Sequence, residues 1–233
     1  MGLFSFVKTA GRKVGLFGGR AAAEAEAAKK AAAEAAAKGV AFDMVAADIK
    51  AAILSYVDVQ QLGVTFDGDV ATLTGTASAQ ADSERAVLVA GNTEGVGQVA
   101  DQIEVKVPEP PAVHHTVVKG DTLSKIAREY YGVMRLFDVI FDANKPMLAH
   151  PDEIYPGQVL RIPPVPAPTH TVAGGETLGS IAKHWYGEAK RYEDIFAANS
   201  DQLASADAVA VGQRLTIPMI NAKVPGAGGS AIA

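Results

Sequence analysis

From residue 40 onward the apolar positions of this chain switch between two periods. Phe42, Val45, Ile49, Ile53 and Val57 recur at steps of three and four, which predicts an amphipathic helix. Val64-Thr65-Phe66 then reads as a short strand, and Asp67-Gly68-Asp69 as a tight turn. Val70 to Gly75 alternates as the returning strand. Ala79 to Ala90 predicts a second helix with Val87 and Leu88 facing inward, and Ile103, Val105 and Val107 mark a third strand within 99–107. The order α-β-β-α-β over residues 40–107 predicts a small α+β unit with both helices on one face of the sheet.

Upstream the pattern is different. Leu3, Phe6, Val7, Ala10, Val14 and Phe17 fall on one helical stripe, opposite Lys8, Arg12 and Lys13. This predicts a short amphipathic helix over 3–17 that packs on a neighbour, with a membrane-surface anchor as the rival reading. Residues 21–38 are almost all Ala, Glu and Lys, with Glu26/Lys30 and Glu34/Lys38 as oriented i,i+4 pairs. They predict a solvated helical spacer closed by Gly39, so residues 1–39 form one preparatory segment.

Downstream the chain repeats itself. A constant offset of 55 positions carries His115 to His170, Gly120 to Gly175, Leu123 to Leu178, Tyr131-Gly132 to Tyr186-Gly187, Asn144 to Asn199 and Gly157-Gln158 to Gly212-Gln213. Each copy predicts β-α-α-β. A strand near Thr116 leads to a helix capped by Asp121 or Thr122, with Leu123, Ile126, Ala127 and Tyr130 apolar. A second helix carries Leu136, Val139, Ile140 and Ala143, and the copy ends in the strand Val159–Ile162. The copies occupy 113–163 and 169–218. Proline-rich linkers at 108–112 and 164–168 flank the first copy, and residues 219–233, rich in Gly and Ala, predict a disordered tail.

The run His115-Thr116-Val117, Gly120-Asp121-Thr122-Leu123, Ile126-Ala127, Tyr131-Gly132, Asn144 and Tyr155-Pro156-Gly157-Gln158 through Ile162-Pro163 resembles the LysM module. Residues 40–107 resemble a BON domain in element order and in Val70-Ala71-Thr72-Leu73-Thr74-Gly75. The whole arrangement is similar to the bacterial cytoplasmic BON–LysM potassium-binding family. Met1-Gly2-Leu3-Phe4, Phe6-Val7-Lys8 and Ala10-Gly11 match its start. Residues Ile140 to Leu148 and Ile154 to Pro163 match its end. The regular segment 21–38 and the second LysM copy depart from it.

The LysM resemblance implies a groove for N-acetylglucosamine-containing glycans between two loops, here Gly120, Asp121, Thr122, Leu123 and Ile154, Tyr155, Pro156, Gly157. In the second copy the groove is Gly175, Glu176, Thr177 and Leu178, with Ala210-Val211 in place of Tyr155-Pro156. The same Gly, Thr and Pro residues also serve turns and caps. The family resemblance implies a potassium ion as ligand. Potassium takes oxygen ligands, often backbone carbonyls, and a helix ending near Gly11 would offer those of Val7 and Ala10.

Composition narrows the field. The chain has no cysteine, which removes disulfides, thiolate zinc sites and cysteine nucleophiles and leans towards a reducing compartment. A net charge of −5 argues against a nucleic-acid partner. No apolar run reaches a membrane span, and Met1 to Val7 does not read as a secretory signal. Gly95-Val96-Gly97 echoes a dinucleotide-binding turn, but no flanking βαβ unit is legible. His114-His115 reads as strand edge rather than metal ligand, and Asp67/Asp69 as turn chemistry. The expectation is a monomeric, non-catalytic cytoplasmic protein that binds potassium and uses no organic cofactor. A peptidoglycan- or chitin-binding protein of the periplasm or cell envelope is the first alternative, and a protein scaffold the second.

Overall fold

The computed structural model describes residues 2–5, 39, 41–145 and 147–228. It divides into two compact units, Met1–Pro108 and Glu109–Ala233.

In the first unit residues 41–56 form helix α1, and its three- and four-residue spacing buries Ala46, Ile49, Ile53 and the following Val57. A hairpin follows, β2 (Val59–Asp67) and β3 (Val70–Ala79), closed by the expected Gly68-Asp69 turn. Helix α2 (Gln80–Gly91) crosses over to β4 (Gln98–Val107), which pairs with β3 in parallel. Ile49, Ile53, Ala71, Leu73, Val87, Ala90 and Val99 share one core. Ser83 of α2 is buried and donates to Asp101 Oδ2 of β4 at 3.0 Å, so the crossover is tied to its strand.

Two expectations change here. Residues 2–5 are not helical: Gly2–Ser5 is a strand, β1, antiparallel to β4, and the sheet order is β1-β4-β3-β2. The outer edge of β4 would otherwise expose a row of backbone donors and acceptors, and an added strand satisfies them. A periodicity of three and four is indistinguishable from alternation over so few residues. The rest of the 3–17 stripe, the 21–38 spacer, and Val7 and Ala10 lie outside the described residues. Second, β3-α2-β4 is a βαβ unit. Gly95-Val96-Gly97 sits in its helix-to-strand loop, whereas a phosphate-binding fingerprint needs the strand-to-helix turn.

The second unit contains the two repeats. The first has β5 (Val113–Thr116), α3 (Leu123–Tyr131), α4 (Phe137–Ala143) and β6 (Val159–Ile162). The second has β7 (Thr169–Thr171), α5 (Leu178–Tyr186), α6 (Tyr192–Ala198) and β8 (Arg214–Thr216). Each forms its own antiparallel two-stranded sheet. The hydrogen bonds repeat at the same offset. Buried Asn144 donates to Ile140 O at 2.7 Å and Arg161 O at 2.8 Å and accepts Arg161 N–H at 2.8 Å. Asn199 does the same with Ile195 O, Thr216 O and Thr216 N–H. Tyr131 Oη donates to Pro163 O at 2.7 Å and Tyr186 Oη to Pro218 O at 2.9 Å. Burial pushes both phenols well above their ordinary pKa, which suits a permanent donor.

The tail expectation fails for residues 219–228. Val224 is 3% exposed and belongs to one hydrophobic core continuous through both repeats. Lys223 N–H donates to Tyr130 O at 2.8 Å, Lys223 Nζ pairs with Glu129 at 2.9 Å, and Gly228 N–H donates to Val165 O at 3.0 Å. Each repeat is near the lower size limit for independent folding, so burying Val224, Ile220 and Met219 against it gains apolar area that the repeats alone lack. Residues 229–233 lie outside the described set.

Candidate functional site

The loops predicted to form the groove of the first repeat lie side by side. Val117 N–H donates to Gln158 O at 2.8 Å, and Gly157 N–H donates to Val117 O at 2.9 Å. These bonds extend the β5–β6 ladder by one step and bring 117–123 against 154–158. Each loop turns on a glycine of positive φ, Gly120 (95°) and Gly157 (92°). Gln158 Oε1 accepts Tyr155 N–H at 3.1 Å, which closes the second turn from within.

The residues expected at the groove separate into three roles. Gly120, Thr122, Tyr155, Pro156 and Gly157 are exposed; Tyr155 retains 65% of its surface and lies in a loop that also exposes backbone. Ile154 is half-buried. Leu123 is withdrawn into the core, so only its backbone can face a ligand; Leu178 is placed likewise. Thr122, not Asp121, caps α3, accepting Lys125 N–H at 3.3 Å, while Lys125 Nζ donates to Gly120 O at 2.7 Å.

Asp121 instead fastens the loop to the sheet. Its Oδ2 accepts Val118 N–H at 2.8 Å and lies 2.9 Å from His115 Nε2; the other ring nitrogen of His115 is 3.2 Å from Tyr130 Oη. The backbone donor from Val118, and then His115, hold the Asp121 carboxyl below its ordinary value. The sequence marks His115 only as a strand-edge residue, whereas the structure makes it the partner of Asp121. The available signal was its spacing: in both copies an acidic residue follows the histidine by six positions.

In the second repeat Glu176 replaces Asp121 and keeps the arrangement, with His170 Nε2 at 2.8 Å and Ala173 N–H at 2.7 Å. The Ala173 amide, then His170, lower its carboxyl pKa. Thr177 and Ser180 form a reciprocal capping box on α5. Gly175 and Gly212 turn as their counterparts do, and Gly212 N–H donates to Val172 O at 2.8 Å. The exposed surface differs: where Tyr155 stands in the first groove the second has Ala210, followed by Val211, which is 73% exposed.

For a cation, the first unit offers another arrangement. Ser5 at the end of β1 is paired with Gln98, which is paired with Val70. Asp69 O accepts Gly97 N–H at 2.8 Å and Gln98 N–H at 3.0 Å, so the Asp67–Asp69 turn lies at the same end of the sheet. Val7 and Ala10 follow Ser5 closely in sequence. Among the described residues no group of three or more His, Asp or Glu is placed to hold a metal ion. A carbonyl site for a monovalent cation leaves no such side-chain mark.

The BON domain family matches residues 43–107, and the LysM domain family matches 115–163 and 170–218. The chain is 36% identical over 163 residues to the potassium binding protein Kbp of Escherichia coli O6:H1, an alignment covering 70% of this chain and 99% of that protein. It is 39% identical over 104 residues to the esterase MT1326 of Mycobacterium tuberculosis, covering 45% of this chain and 22% of the esterase. A crystal structure of the spore cortex-lytic enzyme SleL from Bacillus megaterium superposes with a TM-score of 0.20 at 28% identity, over 48% of this chain and 24% of that one, too little to bear on the fold. The BON unit, the LysM pattern and near-complete coverage of a relative agree: this chain belongs to the BON–LysM potassium-binding protein family, extended by a second LysM domain.

Proposed function

We propose that this is a non-catalytic, cytoplasmic potassium-binding protein, acting as a sensor or buffer of the ion through its BON unit and N-terminal segment. The observation that carries the reading is the alignment with a potassium-binding relative along 99% of that relative's length. The sheet end supports it physically. The turn bearing Asp67 and Asp69 puts two carboxylates at the same end of the sheet as the last residue of β1, with β4 between them, and from that residue the chain continues to Val7 and Ala10. Carbonyls of those two residues are the proposed ligands. Calorimetric titration of the full chain with K⁺ and Na⁺ tests this. A saturable K⁺ signal that disappears on removal of residues 1–12 is expected; equal K⁺ affinity without them would remove Val7 and Ala10 from the site.

Glycan binding is the second reading, favoured by one observation. The first LysM groove leaves Tyr155 largely exposed beside the exposed Gly120, Thr122 and Gly157, and an aromatic face with nearby backbone groups suits a pyranose ring and its acetamide. Among the described residues no helix is long and apolar enough to cross a membrane.

A further inference from the structure

The histidine at the start of each repeat has different surroundings in the two copies. In the first, both ring nitrogens of His115 are engaged: Nε2 lies 2.9 Å from Asp121 Oδ2 and Nδ1 lies 3.2 Å from Tyr130 Oη. Glu129, the residue before that tyrosine, pairs with Lys223. In the second, Nε2 of His170 lies 2.8 Å from Glu176 Oε2, but Trp185 stands in place of Tyr130 and offers no hydroxyl. The indole N–H of Trp185 is buried without a hydrogen-bond partner, so it does not take over the bond to Nδ1. His184 stands in place of Glu129. Two adjacent replacements thus release one imidazole nitrogen and bring a second imidazole near it.

Three rings meet there. The His170 and His184 centroids are 6.3 Å apart, and Trp185 packs edge to face on both, at 6.3 Å from His170 and 5.7 Å from His184. His170, on β7, keeps 16% of its side-chain surface, whereas His184, in the last turn of α5, is exposed. Glu176 Oε2 also accepts the Ala173 N–H at 2.7 Å, so the carboxylate that holds His170 is itself held. An imidazole whose Nε2–H donates to a carboxylate carries its proton there and keeps a lone pair on Nδ1. The same carboxylate–imidazole pairing orients histidines that ligate metal ions.

We infer that His170 Nδ1 and the imidazole of His184 form a two-histidine site on the second repeat for a divalent transition ion of the copper and zinc class, with water in the remaining positions. Neutral imidazole suits these ions, whereas magnesium and calcium take oxygen donors. Two imidazoles on one ion, with metal–nitrogen bonds of about 2.1 Å, hold their centroids about 5 to 5.5 Å apart. The exposed His184 side chain closes the remaining gap of about 1 Å by rotation, while His170 stays anchored. With only two protein donors the site takes up its ion reversibly and is no structural cage. The first repeat lacks it, because Tyr130 engages Nδ1 of His115 and Glu129 stands where the second imidazole would be.

Trp185 is the only tryptophan of the chain and packs on both rings, so its fluorescence reports on the site directly. Titration of the full chain with Cu²⁺ is expected to quench that fluorescence to saturation at a single site, and Zn²⁺, which does not quench, to restore it. His184→Gln is expected to weaken the quench roughly 10-fold or more with an unchanged circular dichroism spectrum. His150→Gln, at an exposed histidine elsewhere in the first repeat, is expected to leave it as in the parent. Proton NMR of the parent chain gives a readout free of any variant's folding: Zn²⁺ is expected to shift the ring C–H signals of His170 and His184 and to leave those of His114, His115 and His150 in place. Absence of saturable quenching, equal quenching in His184→Gln, or zinc shifts confined to the other histidines would each overturn the site.

Discussion

The two LysM repeats differ most in what fills the slot behind the first helix. In both, a left-handed glycine ends that helix, Gly132 at φ 70° and Gly187 at φ 79°. Behind Gly187 stands the end of the Met134 side chain, at 3.4 Å from where a Cβ would be; behind Gly132 stands the Ile220 backbone, so close that a Cβ would overlap it. The repeats share sequence, hydrogen-bond network and topology, yet one is closed by a neighbour's flexible side chain and the other by the chain's own C-terminal backbone. A repeat is thus completed by whatever the array supplies at its open end. That is the logic of end-capping in repeat proteins, carried here by ten residues.

The largest test of that comparison is to add the missing methyl group to each glycine. Gly132→Ala is expected to lose about 3 kcal/mol, combining left-handed strain with displacement of a backbone that cannot move without releasing Val224. Gly187→Ala is expected to lose about 1 kcal/mol, since a thioether can swing aside. Urea unfolding of the two variants measures the gap; equal losses would show that the C-terminal segment yields as easily as Met134 does.

Next comes a pair in which the repeats should behave alike. Asn144→Ala and Asn199→Ala each leave one N–H and two carbonyls of the same fold position without their partner. Losses of about 2–3 kcal/mol, similar in the two, are expected in the same assay. A large difference would mean that the repeats do not share one network.

The smallest effect distinguishes aspartate from glutamate beside histidine. Both carboxyl pKa values are lowered on folding. The stability they contribute is therefore present above the ordinary carboxylate pKa and is lost as pH falls through the depressed values, below about pH 4. Asp121→Asn and Glu176→Gln are expected to destabilise slightly at neutral pH and to converge on the parent in acid. Thermal unfolding from pH 3 to pH 7 checks the sign, and a difference that grows on acidification would contradict it.

Much of the fold was legible because its signals are local. The helical period of residues 42–57, the Asp67–Asp69 turn and the motif that each LysM copy repeats are all written in short runs of residues. The candidate groove is less legible: Leu123 and Leu178, expected in the groove, are withdrawn into the core, and the His115–Asp121 pair leaves no mark beyond its six-residue spacing. A sequence shows that a leucine follows a cap; it does not show which side of the cap faces solvent.

Periodicity and turn chemistry act over a few residues, so the BON and LysM units, their order and the likeness of the two copies can be read from the chain alone. Long-range packing settles that residues 2–5 complete a sheet and that 219–228 dock as a clasp rather than trail as a tail. Those outcomes depend on an open strand edge and an open glycine slot created by distant parts of the chain. Short, weakly patterned segments take the conformation that fills such openings, whatever their own composition favours.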